Sequence, residues 1–161
     1  MHLCVFLLVC RQQLMSKGIL IRSEEDLVTV GSTIAPSLVS GDILYLEGEL
    51  GAGKTTVARG ILRGLGYKGI VTSPTYTLLE EYEIGACSVV HFDLYRLESA
   101  QELEGIGIRD YLDSRSILLF EWPEKGLGVV PLPTLRIMLN YFNEYREVRF
   151  HPAMTSVLRL Q

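Results

Sequence analysis

Eight residues from position 48 combine glycines with a lysine and a threonine at fixed spacing. They are Gly-Glu-Leu-Gly-Ala-Gly-Lys-Thr and match the pattern G-x-x-x-x-G-K-[ST]. Glycines let a backbone turn its N–H groups inward around phosphate oxygens, and a helix that begins there adds its positive dipole end. We expect Lys54 to bridge the β- and γ-phosphates of a nucleotide and the Thr55 hydroxyl to bind Mg²⁺. The segment therefore predicts a phosphate-binding loop.

Most of the residues expected to contact the nucleotide lie in or beside this loop. The expected contacts are Glu49, Gly51, Ala52, Gly53, Lys54, Thr55, Thr56 and, from another part of the chain, Trp122. ATP with Mg²⁺ is the expected ligand, because the sequence has no Asn-Lys-x-Asp motif of the kind that reads guanine in many GTPases. Trp122 could stack on a base or on a partner, although a single Trp beside a Pro more often packs in a core.

Two apolar runs end in a carboxylate. One is Ser-Val-Val-His-Phe-Asp, which ends at Asp93, and the other is Ile-Leu-Leu-Phe-Glu, which ends at Glu121. Ligands of open α/β sheets lie beyond the carboxyl ends of parallel strands, so both carboxylates can approach the phosphates. We expect Asp93, Glu121 and Lys54 to be catalytic, and Thr55 and the two carboxylates to be the candidate magnesium ligands. His91, within the first run, is typical of a hydrogen-bonded core or rim residue rather than a catalyst.

Apolar periodicity indicates strands and helices in alternation around these motifs. Residues 43–47 predict a strand that leads into the loop, and residues 55–65 have helical spacing up to a stop at Gly66. An earlier helix is expected between a cap at Ser23 and Pro36. Further strands are expected at residues 18–22, 77–82, 88–93 and 117–121, with a short helical region at 99–113.

The tail of the chain has β-favouring runs over residues 135–160. They are separated at Asn143-Glu144 and at His151-Pro152, which indicates antiparallel strands that close one side of the sheet. Together these elements predict an α/β protein with the three-layer P-loop NTPase fold. Its central sheet is expected to be mainly parallel, with antiparallel C-terminal strands.

Composition excludes some classes of function. The chain has 161 residues, with 15 Lys plus Arg against 19 Asp plus Glu, so its formal charge is −4. It lacks the basic excess that sustained contact with a phosphate backbone needs, and any role with RNA is expected to be indirect. Cys4, Cys10 and Cys87 have neither the spacing of a zinc site nor an even number for disulfides, which fits the cytoplasm.

The first residues do not fit the rest of the pattern. Residues 1–14 are interpreted as an N-terminal extension or the product of a misassigned start, because Met15 opens a more ordinary polar N-terminus. The apolar run at residues 3–10 is too short to span a bilayer, so no membrane association is expected. Residues 15–161 are expected to form a single domain.

Three further motifs occur in order with the loop. They are Ser73-Pro-Thr-Tyr-Thr-Leu78, His91-Phe-Asp-Leu-Tyr-Arg96 and Phe120-Glu-Trp-Pro-Glu-Lys-Gly126. With the phosphate-binding loop, they make the chain resemble the bacterial TsaE (YjeE) family over about residues 18–140. This combination is far more specific than the loop alone. Residues 1–14 have no counterpart in the family pattern, and those after Tyr141 are weakly covered.

The resemblance implies an ATPase that works with TsaB and TsaD in threonylcarbamoyl transfer to adenosine 37 of certain tRNAs. It implies that partners, rather than this chain, contact the tRNA. By similarity Lys54 contacts phosphate, Thr55 and Glu121 are at the magnesium positions, and Asp93 is needed for ATP turnover. Residues 73–77 become a candidate nucleotide-responsive loop.

Two other functions remain compatible with the motifs themselves. A small-molecule kinase uses the same loop and metal, but its mobile lid usually brings several arginines. Here residues 97–115 hold only Arg109 and Arg115 among five acidic residues. A nucleotide-switched binding module would use ATP to order residues 73–77 for a partner, and hydrolysis to reset them.

Overall fold

Seven strands and three α-helices make up the computed structural model, which describes residues 18–112, 115–142 and 145–152. The strands are β1 (Ile19–Ile21), β2 (Ile43–Gly48), β3 (Leu79–Ile84), β4 (Cys87–Asp93), β5 (Ser116–Glu121), β6 (Leu135–Phe142) and β7 (Tyr145–Pro152). The helices are α1 (Glu24–Ile34), α2 (Lys54–Gly64) and α3 (Gln101–Gly105), with 3₁₀ turns at Ala35–Ser37, Ile108–Tyr111 and Pro123–Gly126. The interpretations of residues 1–14, of Cys4 and Cys10, of the Asn143-Glu144 break and of the chain beyond residue 152 lie outside the described residues.

All seven strands join one sheet in the order β1-β7-β6-β2-β5-β4-β3. The central strands β6, β2, β5 and β4 are mutually parallel, whereas β3 and β7 run against their neighbours. The expected α/β fold with a mainly parallel central sheet is therefore confirmed. Because parallel strands bring their carboxyl ends to one edge, β2, β4 and β5 all end beside the phosphate-binding loop.

The C-terminal strands form the expected antiparallel pair, with two differences in detail. β6 joins the sheet parallel to β2, and only β7 is reversed. His151-Pro152 does not separate two strands but ends β7, opposite Leu135. Proline has no N–H to donate to a ladder, and it is tolerated here because it is the last residue of the strand.

Two other boundaries differ from the sequence prediction for backbone reasons. Strand β3 begins at Leu79 rather than at residue 77, because Leu78 has a positive φ of 66° and its N–H closes a turn onto the Pro74 carbonyl. The helical region expected at 99–113 is interrupted by Gly107, whose φ of 75° ends the α-helical segment before the 3₁₀ turn Ile108–Tyr111.

Helix α1 begins where its sequence signals predict. The Ser23 hydroxyl accepts from the Asp26 N–H at 3.1 Å, and the Asp26 carboxylate accepts from the Ser23 N–H at 2.9 Å. These reciprocal bonds form a capping box and satisfy two N–H groups that the helix would otherwise leave free. The helix ends at Ile34, and Pro36 follows within the 3₁₀ turn, as expected.

Apolar side chains cover both faces of the sheet. On one face, Val89, Ile117 and Leu119 belong to a cluster that also contains the buried sides of α1 and α2. On the other face, residues such as Val90 and Phe120 pack with α3 and with the 3₁₀ turn at Ile108–Tyr111. The sheet therefore lies between two layers of helices, which is the predicted three-layer arrangement.

Glycines allow α1 and α2 to cross closely. A Cβ at Gly31 would lie 2.4 Å from the Val57 carbonyl oxygen, and one at Gly60 would lie 2.4 Å from the Val28 carbonyl oxygen. Contact this close fixes the position of α2, the helix that begins at the phosphate-binding loop. Within the described ranges, no helix is both long and apolar enough to cross a membrane.

Candidate functional site

The loop between β2 and α2 depends on glycine at two tight positions. Gly48 has a φ of 147°, and a Cβ there would lie 2.5 Å from the Leu139 carbonyl oxygen. Gly53 has a φ of 106°, and its carbonyl accepts the Val57 N–H at 3.0 Å in the first turn of α2. The preceding N–H groups of α2 have no partner within the helix, so they can receive an anion.

A cavity of about 410 Å³ opens beside the loop, which is within the usual size range of small-molecule sites. Its lining consists of Leu50, Gly51, Gly53, Lys54, Thr55, Thr56, Ser73, Thr75, Asp93, Tyr95, Glu121 and Trp122. Most of the residues selected from the sequence are thus brought together. Two are not part of the lining: Glu49 is exposed, and the side chain of Ala52 is buried in the core. A contact of Ala52 with a nucleotide would therefore use its backbone.

The two predicted carboxylates are the last residues of β4 and β5 and lie opposite each other in register. Glu121 is 3% exposed, and its Oε1 accepts from the Thr55 hydroxyl at 2.8 Å. The same Oε1 is 2.9 Å from His91 Nε2. The pair of Thr55 and Glu121 offers a hydroxyl and a carboxylate oxygen at one point of the cavity.

This donor set fits magnesium, which prefers oxygen ligands and usually keeps several waters beside one or two carboxylates and substrate phosphates. Among the described residues there is no group of three or more His, Cys, Asp or Glu side chains that could hold a metal alone.

Asp93 is 3% exposed and connects the sheet edge to residues 73–77. Its Oδ2 accepts from the Ser73 hydroxyl and, at 2.7 Å, from the Thr75 hydroxyl. Its Oδ1 accepts the Tyr95 N–H at 3.0 Å. The loop that the sequence suggested as nucleotide-responsive is thus held directly by a predicted site residue.

Lys54 is only 4% exposed and makes its contacts within the site. Its Nζ donates to the Gly48 carbonyl at 2.8 Å and to the Glu49 carbonyl at 2.9 Å. Burial lowers the pKa of Lys54, and the negative charges of Glu121, Asp93 and Glu124 oppose that shift. A phosphate within reach of Nζ would provide a negative charge that stabilises the buried ammonium.

Trp122 is half-buried: it lines the cavity and also packs against the apolar cluster on the α3 side of the sheet. Its ring is 5.1 Å from the ring of Tyr95, centroid to centroid, and Lys54 Nζ is 3.8 Å from its centroid. Its backbone has a positive φ of 58°, which is uncommon for a residue of this size. The strained turn directs the chain from β5 into the 3₁₀ turn Pro123–Gly126 beside the site.

Sequence reasoning missed Tyr95 and the link between His91 and Glu121. The signal for Tyr95 was present, because the residue stands two positions after Asp93 in the motif His91-Phe-Asp-Leu-Tyr-Arg96. The expectation that His91 is a hydrogen-bonded buried residue agrees with the structure. That the partner of His91 is Glu121 depends on the pairing of β4 with β5, which cannot be predicted from the sequence alone.

Comparison with known proteins follows the same motifs. The family model for threonylcarbamoyl adenosine biosynthesis protein TsaE matches residues 21–148. The chain is 51% identical over 106 residues to the tRNA threonylcarbamoyladenosine biosynthesis protein TsaE of Haemophilus influenzae, covering 66% of this chain and 67% of that protein. It is 36% identical over 127 residues to the protein of the same name from Bacillus subtilis, covering 78% and 79%.

A solved structure agrees with the sequence matches. The crystal structure of Bacillus subtilis YdiB superposes with a TM-score of 0.74 at 28% identity, covering 89% of this chain and 90% of that one. The fold, the ordered motifs and the family match are thus consistent with one another. The chain belongs to the TsaE family of threonylcarbamoyl adenosine biosynthesis proteins.

Proposed function

We propose that the chain is a magnesium-dependent ATPase that supports the formation of threonylcarbamoyladenosine at adenosine 37 of tRNA. The observation that supports this most is the 2.8 Å hydrogen bond between the Thr55 hydroxyl and Glu121, beside the loop that presents Lys54. A phosphate-binding loop, a cation and two adjoining oxygen ligands are the parts that phosphoryl transfer to water requires. The two TsaE relatives described above are named for the biosynthesis of the same modified nucleoside.

Each group has a role that follows from its position. The first N–H groups of α2 and the glycine backbone would bind phosphate oxygens, and the Lys54 ammonium would neutralise them. Thr55 and Glu121 would hold magnesium. When bound, the ion would supply charge neutralisation for the phosphates. The buried setting strengthens all these interactions because little water screens them.

Asp93 is the proposed group for turnover, while Glu121 is engaged with Thr55 and His91. The Asp93 carboxylate faces the cavity and can orient a water once its oxygen is released from the Ser73 and Thr75 hydroxyls. Among the described residues that line the cavity, none is an arginine. We therefore expect slow hydrolysis by the chain alone, and faster hydrolysis when a partner completes the site.

TsaB and TsaD are the proposed partners, and they would supply the tRNA-binding surface. The formal charge of −4 does not favour direct contact between this chain and RNA. Residues 73–77 are proposed to contact the partners and to change with the nucleotide state. They hydrogen-bond to Asp93 in the cavity, and they include Tyr76, which is 84% exposed. Action in the cytoplasm is the expected setting.

The proposal is tested in a bacterial strain depleted of its own TsaE. Expression of the wild-type chain should restore threonylcarbamoyladenosine in total tRNA, measured by mass spectrometry of digested nucleosides. Lys54→Ala should fail to restore it, whereas Lys68→Ala, which removes an exposed lysine outside the cavity, should succeed. Equal restoration by Lys54→Ala and wild type would overturn the proposed function.

A nucleotide-switched binding module is the second candidate, favoured by the bonds from Ser73 and Thr75 to Asp93. In that case ATP binding alone would govern partner association, and hydrolysis would only reset the loop. A non-hydrolysable ATP analogue would then support a full round of modification. The family assignment leaves the kinase alternative without support.

A further inference from the structure

His91 is a fully buried polar residue at the edge of the candidate site. It is 0% exposed and lies on β4, two residues before Asp93, on the face of the sheet that packs against α1 and α2. Its Nε2 is 2.9 Å from Glu121 Oε1. An apolar side chain would be expected at this position if its only role were to fill the core.

The ring has a single partner in the described part of the chain. His91 Nδ1 is the one buried side-chain nitrogen or oxygen there that has no hydrogen-bond partner. A carboxylate can only accept, so the bond to Glu121 requires a hydrogen on Nε2. A hydrogen on Nδ1 would be a buried donor without an acceptor, which costs more than an unused lone pair. The tautomer with its hydrogen on Nε2 alone therefore satisfies the site best.

The Thr55 hydroxyl donates to the same oxygen, Glu121 Oε1, at 2.8 Å. A Thr55 oxygen that held magnesium through a lone pair would keep its hydrogen for Glu121, and His91 would hold the same carboxylate oxygen from inside the sheet. We propose that His91 is a positioning residue that fixes the orientation of Glu121 for magnesium. This role rests on the proposed function, and the fully buried His91 lies behind Glu121, outside the lining of the cavity.

The test compares two substitutions at this position. His91→Gln keeps an N–H donor at nearly the place of Nε2, whereas His91→Leu fills the space without a donor. ADP affinity of each purified chain is measured by calorimetry in excess magnesium and again in EDTA. The ratio of the two affinities isolates the contribution of the metal, which loss of packing alone would not change.

We expect His91→Leu to reduce the magnesium-dependent gain in ADP affinity about tenfold or more, as is typical when a partner of a metal ligand is removed. ADP affinity in EDTA should stay within about twofold, and His91→Gln should recover most of the gain. Equal magnesium dependence in wild type and His91→Leu would overturn this role for His91. A wild-type chain whose ADP affinity ignores magnesium would overturn the proposed function as well.

A spectroscopic measurement covers the case in which His91→Leu does not fold. Long-range ¹H–¹⁵N spectra of the unliganded wild-type chain report which ring nitrogen carries hydrogen. The His91 signals can be separated from those of His2 and His151 by His2→Gln and His151→Gln variants. The hydrogen is expected on Nε2. A His91 ring with its hydrogen on Nδ1 could not donate to Glu121 and would contradict the proposal.

Discussion

The ammonium group of Lys54 lies 3.8 Å from the centroid of the Trp122 ring. A cation over an indole face is attracted by the ring quadrupole, and the effect grows when water is excluded, as it is for this buried lysine. The same ammonium donates to the carbonyls of Gly48 and Glu49. Any phosphate that recruits Lys54 must compete with these contacts, so the environment of Trp122 depends on the position of Lys54.

Magnesium–ADP binding should therefore change the fluorescence of the protein. Trp122 is the only tryptophan in the chain, so the source of the signal is unambiguous. The emission change is expected to saturate at the same ADP concentration as the heat measured by calorimetry. Flat emission under conditions of calorimetric saturation would place Trp122 away from the bound nucleotide.

Lys54→Ala should lose nucleotide affinity while the protein stays folded. Lys54 lines the cavity and burial lowers the pKa of its ammonium, so we expect its charge to serve a bound phosphate rather than the fold. We expect ADP affinity to fall about tenfold to a hundredfold, the usual effect of losing one charge-assisted hydrogen bond. Circular dichroism and thermal unfolding serve as the check of folding, with Lys68→Ala as control. A Lys54→Ala chain that unfolds would indicate a structural lysine.

The phosphate-binding loop and the ends of β4 and β5 could be predicted because they are local patterns. Glycine spacing, a Lys-Thr pair and apolar runs that end at Asp93 and Glu121 are all visible within a few residues. Parallel pairing then makes the two carboxylates register partners. What could not be predicted depends on tertiary contact, such as the bonds from Ser73 and Thr75 to Asp93, which join residues about twenty positions apart.

The start of β3 shows a second limit of sequence reasoning. Residues 77–82 contain β-favouring side chains, but Leu78 adopts a positive φ and its N–H is used by the Pro74 carbonyl. Side-chain propensity cannot predict that turn, because the turn involves a hydrogen bond between distant residues. The N–H of Asp93, at the end of β4, donates to the Leu78 carbonyl. The strand therefore begins two residues later than its composition indicates.

Gly31→Ala should destabilise the fold through the crossing of α1 and α2. The added Cβ would lie 2.4 Å from the Val57 carbonyl oxygen and 2.8 Å from the Ile61 nitrogen, both backbone atoms that cannot move independently. We expect a loss of about 1 to 3 kcal/mol in the free energy of unfolding, measured with urea. Gly105→Ala, also in a helix but with open space around its Cβ, is the matched control and should be neutral or slightly stabilising. Equal effects of the two substitutions would contradict the close crossing.

Tyr82 should make the protein less stable at alkaline pH. Burial raises the pKa of Tyr82 to about 12, and the negative charge of Glu80 adds to the shift. Below about pH 10 the tyrosine keeps its proton in both the folded and the unfolded chain. Between about pH 10 and 12 only the unfolded chain releases it, so the free energy of unfolding falls as pH rises, by about 2 to 3 kcal/mol in total.

Tyr82→Phe removes this titration and provides the comparison. The free energy of unfolding in urea is measured for both chains at about pH 9 and about pH 11.5. Between these pH values Tyr82→Phe should lose less of it than wild type, because it lacks the tyrosine whose pKa burial raises. The other ionisable groups are common to both chains and cancel in the difference. Identical losses for the two chains would show that Tyr82 ionises as freely in the folded protein as in the unfolded one.

Glu121→Gln isolates the role of the carboxylate beside Thr55. The amide keeps the shape of the side chain but loses its charge, so ADP affinity in EDTA should persist within a few-fold, while the magnesium-dependent gain in affinity shrinks and turnover falls by about a hundredfold or more. Both quantities can be measured on one preparation, by calorimetry with ADP and by phosphate release from ATP. A variant that keeps turnover but loses binding would show that Glu121 serves only the ground state.

The central claim is tested most directly by measuring phosphate release from ATP. The rate is followed for the wild-type chain and for Glu121→Gln in the presence of TsaB, TsaD and magnesium. The wild-type chain should hydrolyse ATP slowly alone and faster with the partners, and the rate should vanish when EDTA removes magnesium. Glu121→Gln should show no release above background although it still binds ADP. Turnover that is equal in the two chains, or that ignores both magnesium and the partners, would contradict the assignment of this cavity as an ATPase site.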